Sequence, residues 1–118
     1  MEEKDLEKEI QAKGLTAPRV TPADVEANIT SAFYFTAAEG VEGASGHLPN
    51  SVRAGTALSL LTFCVLVLRN GFPVTGEFAC ASPENFDAEL GRKIARQNAV
   101  EKVWPLMYYE LRSKLAAA

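Results

Sequence analysis

The feature that most constrains this chain is a hairpin signal near its centre. The longest apolar run, Leu60-Leu61-Thr62-Phe63-Cys64-Val65-Leu66-Val67-Leu68, meets Arg69-Asn70-Gly71-Phe72 and then a second strand-like run from Pro73 to Cys80. Asn-Gly between two such runs predicts a two-residue type I′ turn, because both central residues need positive φ there. The hairpin is expected over about 59–68 and 72–80, with Arg69 opposite Phe72. That register groups Leu61, Phe63, Val65 and Val67 with Val74, Gly76, Phe78 and Cys80 as the core face. Thr62, Cys64, Leu66 and Leu68 then share the other face with Pro73, Thr75, Glu77 and Ala79. That second face is too apolar to be fully wet, so it meets either another chain or the loop before it. Pro73 places the second strand at a sheet edge. Cys64 falls opposite Glu77 and Cys80 opposite Leu61, on opposite faces, which argues against a disulfide and for free thiols in a reducing cytoplasm.

The same run is about half of what a helix needs to span a bilayer. The first residues, Met1-Glu2-Glu3-Lys4-Asp5, follow no signal-peptide pattern. The expectation is a soluble cytoplasmic protein with no membrane partner.

Upstream, residues 1–20 read as a charged N-terminal helix or arm, with Leu6 and Ile10 as its apolar pair and Gly14 as its end. Residues 21–118 read as a single α+β domain. Thr21-Pro22-Ala23-Asp24 supplies an N-cap, a proline at the first helical position and an early acid, so a short helix over 22–28 is predicted. Ile29 to Phe35 has the β-branched and aromatic content of a strand. Residues 37–56, with four glycines and Pro49, read as a long flexible loop.

Downstream, Ser82-Pro83-Glu84 predicts a helix start, with the helix running from 83 to about 103 and Phe86, Leu90 and Ile94 as an apolar stripe. Gly91 in its middle suggests close approach to the sheet or a partner. Pro105 is expected to kink or end it, with a second helical segment over 105–116. The predicted architecture is a small antiparallel sheet of two or three strands under a long C-terminal helix kinked near Pro105. Helix and hairpin are both apolar on more than one side, which implies a homo-oligomer with the C-terminal helix or the outer hairpin face in the interface.

Catalytic and metal chemistry find little support. Two cysteines and one histidine cannot supply four zinc ligands without carboxylates. There is no C-x-x-C, G-x-G-x-x-G, P-loop or H-E-x-x-H, so no cofactor is implied. His47 reads as a plain loop residue, and Glu77 as either an ordinary strand carboxylate or a general acid-base. Lys plus Arg number 12 against 15 Asp plus Glu, a formal charge of −3, which argues against generic nucleic-acid binding. A local anion site remains open. Arg92 and Arg96 lie one turn apart and form either a solvated surface or a forked phosphate holder. Asn98 is either a buried structural amide or a base-reading group. Phe86 either packs in the core or stacks on a base.

A resemblance then enters on a long string. Leu61 to Leu106, LTFCVLVLRNGFPVTGEFACASPENFDAELGRKIARQNAVEKVWPL, with Leu111-Arg112-Ser113-Lys114-Leu115 beyond it and Tyr34 to Val41 before it, resembles the small tailed-phage proteins of the gp forty-nine / gp sixty-six family. The resemblance covers a little over half the chain and leaves residues 1–29 outside. The chain departs from the pattern at Phe78, Leu90 and Met107-Tyr108. Members are mostly of unknown function, and the set is similar in size and layout to phage anti-defence sponges. That resemblance implies an oligomeric, non-enzymatic protein of the host cytoplasm. It would sequester a small nucleotide, cyclic or of the cyclic ADP-ribose type, and the residues read above, Phe86, Arg92, Arg96 and Asn98, are then the expected ligand-binding set. The alternative is an accessory protein docking on a host protein through an apolar hairpin or helix face.

Overall fold

Local capping chemistry sets most element boundaries in the computed structural model, which describes residues 3–15, 17–47 and 52–118. Helix α1 (Glu3–Ala12) buries no residue, and Gly14 turns the chain out of it at φ +69°. Helix α2 (Pro22–Asn28) starts on the expected cap. Thr21 Oγ1 accepts from the Asp24 N–H at 3.1 Å, and the Asp24 carboxylate accepts from the Thr21 N–H at 2.9 Å, which satisfies two first-turn donors reciprocally. Strand β1 (Ile29–Thr36) follows directly.

The segment expected as a loop over 37–56 is largely helical instead. It forms α3 (Ala37–Ser45) and α4 (Val52–Ser59), while 48–51 lie outside the described residues. The overlooked signal is a second capping box, with Thr36 Oγ1 accepting from the Glu39 N–H and the Glu39 carboxylate accepting from the Thr36 N–H. Gly46 closes α3 at φ +80°.

Strands β1, β2 (Leu61–Leu68) and β3 (Pro73–Ala79) form one antiparallel sheet in that order. The hairpin exists, but its turn corrects the expected register by one residue. Leu68 donates its N–H to the Phe72 carbonyl at 3.0 Å, and Gly71 donates to the Leu68 carbonyl at 2.8 Å. The loop is therefore three residues, 69–71, and among the described residues no non-glycine has positive φ; Gly71 alone carries it in this loop, at +89°. Asn70 uses its side chain differently, accepting the Phe72 N–H on Oδ1 at 2.9 Å, the local turn that Asn favours. This is the three-residue hairpin with glycine at the left-handed position.

A one-residue slip exchanges the faces of a strand relative to its partner. Cys64 pairs with Gly76, not Glu77, and Leu66 pairs with Val74. The core face is Thr62, Cys64, Leu66 and Leu68 with Val74 and Gly76, all buried. The residues expected there, Leu61, Phe63, Val65 and Val67, lie on the outer face and are half-buried. Part of that outer face meets α3, where a Cβ on Gly40 would stand 3.3 Å from the Phe35 ring, itself stacked on Phe63 at 5.3 Å. Cys64 and Cys80 are both free thiols.

Helix α5 (Ala88–Ala117) lies across the core face. It starts later than Ser82 predicts. Ser82-Pro83 opens only a single 3₁₀ turn (Pro83–Asn85), and Asp87 caps α5 by accepting the Leu90 N–H at 3.1 Å. Pro105 does not end it. The carbonyl that Pro105 leaves without a donor belongs to Glu101, an exposed residue. The expected stripe of Phe86, Leu90 and Ile94 is also corrected: Leu90 is exposed, and the buried positions are Gly91, Ala95, Ala99, Val100 and Val103. Small residues face the sheet because α5 crosses β3 backbone to backbone at Gly76, where a Cβ would fall 2.2 Å from the Ala99 nitrogen. Trp104, Met107 and Leu111 still pack against the core, and only the last turns, from Arg112, are exposed throughout. The radius of gyration is 18.1 Å, against about 13.5 Å for a compact domain of this length.

Candidate functional site

The first turns of α5 bring one aromatic residue and one arginine of the predicted set together. Gly91 faces β2 so closely that a Cβ there would be 3.2 Å from Thr62 Oγ1. This approach sets Arg92 at the rim of a cavity of about 140 Å³ that is also lined by Tyr34, Phe35 and Thr36 from β1, Glu39 from α3, Thr62 from β2, and Phe86 from the turn before the helix. Thr62 is the one buried polar residue among the described residues, at 3% exposure. Arg92 makes no ion pair among the described residues, unlike its neighbours Lys93, paired with Glu89, and Arg96. An uncommitted guanidinium, three hydroxyls and three aromatic rings thus line one small space, together with the Glu39 carboxylate, which accepts the Thr36 N–H at 2.9 Å.

Arg96, one turn further, is already engaged. Its guanidinium donates to both carboxylate oxygens of Glu26 on α2 at 3.1 and 2.9 Å. The bond holds the Glu26 carboxyl below its ordinary range and the Arg96 guanidinium above its own. Tyr34 and Cys64 lie beside it, and burial pushes both of their proton affinities up. The wider cavity of about 640 Å³ at Arg96, between α1 and α5, sets Lys4, Lys93 and Arg96 against Glu3, Glu26 and Glu101. Two of its three cations are already held by carboxylates, Arg96 by Glu26 and Lys93 by Glu89.

Of the two roles open to half-buried Asn98, the structure shows a structural amide. Its Nδ2 donates to the Glu77 carbonyl at 2.9 Å, so it ties α5 to β3 and reads no ligand in this position. The sequence reading missed Tyr34, Thr36 and Thr62. Thr62 was hidden by the hairpin register, which placed it on the outer face. Tyr34 and Thr36 alternate on β1 toward the helix side and become visible only once β1 pairs with β2, Tyr34 opposite Cys64 and Thr36 opposite Thr62. No group of three or more His, Cys, Asp and Glu side chains that could hold a metal occurs among the described residues, and no helix among them is long and apolar enough to cross a membrane.

The model of the phage protein (N4 Gp49/phage Sf6 gene 66) family matches residues 20–115. The match extends upstream of the resemblance read from the sequence and takes in α2 and β1. No curated protein and no solved structure matches the chain.

Proposed function

The chain belongs to the phage protein (N4 Gp49/phage Sf6 gene 66) family, and we propose that it is an oligomeric binding protein of the host cytoplasm. In this reading it sequesters a cyclic or phosphorylated signalling nucleotide of host anti-phage immunity and does not turn it over. The observation that carries this reading is the uncommitted Arg92 beside Phe86, Tyr34 and buried Thr62. A guanidinium presents forked donors that fit phosphate oxygens, hydroxyls add single donors, and an aromatic ring gives a base a flat apolar surface. Cavity size limits what enters. At about 140 Å³ it is smaller than the roughly 300–1,000 Å³ of sites that enclose a whole drug-sized ligand. It takes a phosphoryl group or one edge of a base, and the rest of the nucleotide lies outward along β1.

The two arginines are not equal in this reading. Arg92 is available, whereas Arg96 must first release Glu26. Arg92→Ala is expected to abolish nucleotide-dependent thermal stabilisation, and Arg96→Ala to weaken it. Ligand at about 100 times its dissociation constant adds about 2.7 kcal/mol, a shift that a melt resolves. Nucleotide recovered after heat denaturation should be chemically unchanged; a cleaved product would mean an enzyme.

A second reading is favoured by the apolar surface the fold leaves uncovered, with Phe72, Tyr108 and Tyr109 more than half exposed. If no nucleotide in a broad panel shifts the melt, docking on a host protein becomes the better account.

A further inference from the structure

The free edge of β1 is built unlike the β3 edge of the same sheet, and we propose that it pairs antiparallel with β1 of a second copy of this chain, joining two three-stranded sheets into one of six strands. Strand β1 is Ile-Thr-Ser-Ala-Phe-Tyr-Phe-Thr. It carries no charge, no proline and no glycine. Its backbone bonds to β2 on one side, and among the described residues no backbone group takes the other side of Ser31–Thr36. Long, apolar, uncharged edges template pairing with another chain, and proteins that stay monomeric blunt them with lysine, proline, bulges or a covering element. The irregularity in β1 lies at its start, between Ile29 and Ser31, and leaves the stretch from Ser31 onward regular.

A second copy is the occupant that the strand itself selects. An uncharged strand meets no like-charge repulsion when it pairs with its own copy, and antiparallel pairing about a two-fold axis is isologous. Residues directly opposite one another share a face, so the dyad must pass through a residue position and not between two. Centred on Phe33, the middle of the regular stretch 31–35, the register sets Phe33 against its own copy, Tyr34 against Ala32 and Phe35 against Ser31. Large side chains then meet small ones, with one aromatic pair at the axis. Phe33 is 59% exposed and Tyr34 and Phe35 each 37%. At about 200 Å² for an aromatic side chain, two copies hold on the order of 500 Å² of uncovered ring along this edge. That is roughly half of the about 1,000 Å² a specific interface must clear; Thr30, Ala32 and the strand backbones supply the rest.

The pairing also bears on the small cavity, although it does not depend on what binds there. A two-fold axis normal to the sheet keeps both α5 helices on one face. Because α5 crosses β3 and β2 and leaves Ala32 and Tyr34 of β1 exposed, the two open strands become the floor between two helices. Both Tyr34–Arg92 cavities then open onto that floor.

The test uses the full chain. Light scattering at about 50 μM should give a dimer mass or a multiple of it. Phe33→Cys should form a covalent dimer under mild oxidation, because directly opposed strand residues have Cα atoms about 4.5–5.5 Å apart, within disulfide reach. Tyr109→Cys, on the solvent side of α5 and more exposed, should not. Phe33→Lys should give a monomer with unchanged far-UV circular dichroism. If that variant fails to fold, hydrogen exchange on the wild type decides, since the outward amides of 31–35 should gain protection as concentration rises. A monomeric wild type overturns the proposal. So does a dimer whose β1 amides exchange freely, or one that cross-links through Tyr109→Cys and not through Phe33→Cys. Loss of nucleotide binding in Arg92→Ala with the dimer intact leaves this inference standing, and a monomer that still binds nucleotide refutes it alone.

Discussion

The two edges of the sheet are finished in opposite ways. At β3, helix α5 crosses on backbone contact at Gly76, Asn98 covers the Glu77 carbonyl, Lys102 stands 3.9 Å from the Glu77 carboxylate, and Pro73 begins the strand. At β1, three aromatic residues stand exposed beside a backbone edge that no described residue bonds. The difference separates two tasks within one small fold. The β3 side is closed by the helix that supplies most of the core, so changes there act on stability. The β1 side carries the uncommitted Arg92 cavity and the open strand, so under the proposed function changes there are expected to act on binding and assembly.

The largest effect expected on the β3 side comes from a single methyl group. Gly76→Ala places a Cβ 2.2 Å from the Ala99 nitrogen and 2.3 Å from the Ala95 carbonyl oxygen. Both obstacles are helix backbone, which cannot swing away as a side chain can. Overpacking costs about 1–3 kcal/mol where side chains relax, so a loss of about 3 kcal/mol or more is expected from urea unfolding. Gly91→Ala is the contrast. Its Cβ meets Thr62 Oγ1 at 3.2 Å, a small strain offset by about 1 kcal/mol of helix propensity. Stability should move by less than about 1 kcal/mol, while the cavity beside Thr62 narrows and nucleotide-dependent stabilisation falls.

Asn98→Ala comes next. It leaves the Glu77 carbonyl without its side-chain donor. Water reaches that edge, so the loss should stay near about 1 kcal/mol, with Arg92-dependent binding unchanged. A loss of nucleotide binding in this variant, with the melt preserved, would return Asn98 to the ligand site.

How much was legible in the sequence follows from which interactions are local. The capping box at Thr21, the strand composition of Ile29–Phe35 and the hairpin with its long helix were readable, because each is written in neighbouring residues. The register was not. Asn-Gly is shared by two turn geometries, and the choice fell to Asn70 bonding the Phe72 N–H, after which every residue of β3 moved one place along β2. The core face of α5 was misread for a related reason. A helix that touches a sheet through Gly76 presents alanine and glycine, and a hydrophobicity pattern gives its weight to the larger Leu90 and Phe86. The site inherited the register error, since Thr62 was assigned to the wrong face. Phe86 and Arg92 were found together because one segment of chain carries both.

The smallest effect lies on the β1 side, at the Glu26–Arg96 pair. Its bidentate hydrogen bond holds the Glu26 carboxyl below its ordinary 4.5. A depressed carboxylate stabilises the fold fully above its unfolded value and loses that contribution as pH falls through the folded one. Stability should therefore drop between about pH 5 and about pH 3, and Glu26→Gln should flatten that limb. The Glu26 side chain is 57% exposed, so solvent screening keeps the difference within the about 0–1 kcal/mol of surface pairs. The same variant has a larger consequence for the comparison of the two arginines. Releasing Arg96 from its carboxylate places a second free guanidinium one turn from Arg92, so phosphate-dependent stabilisation should rise in Glu26→Gln although the apo protein is no more stable. If nucleotide affinity is unchanged, Arg96 is a strut between α2 and α5, and Arg92 carries the anion alone.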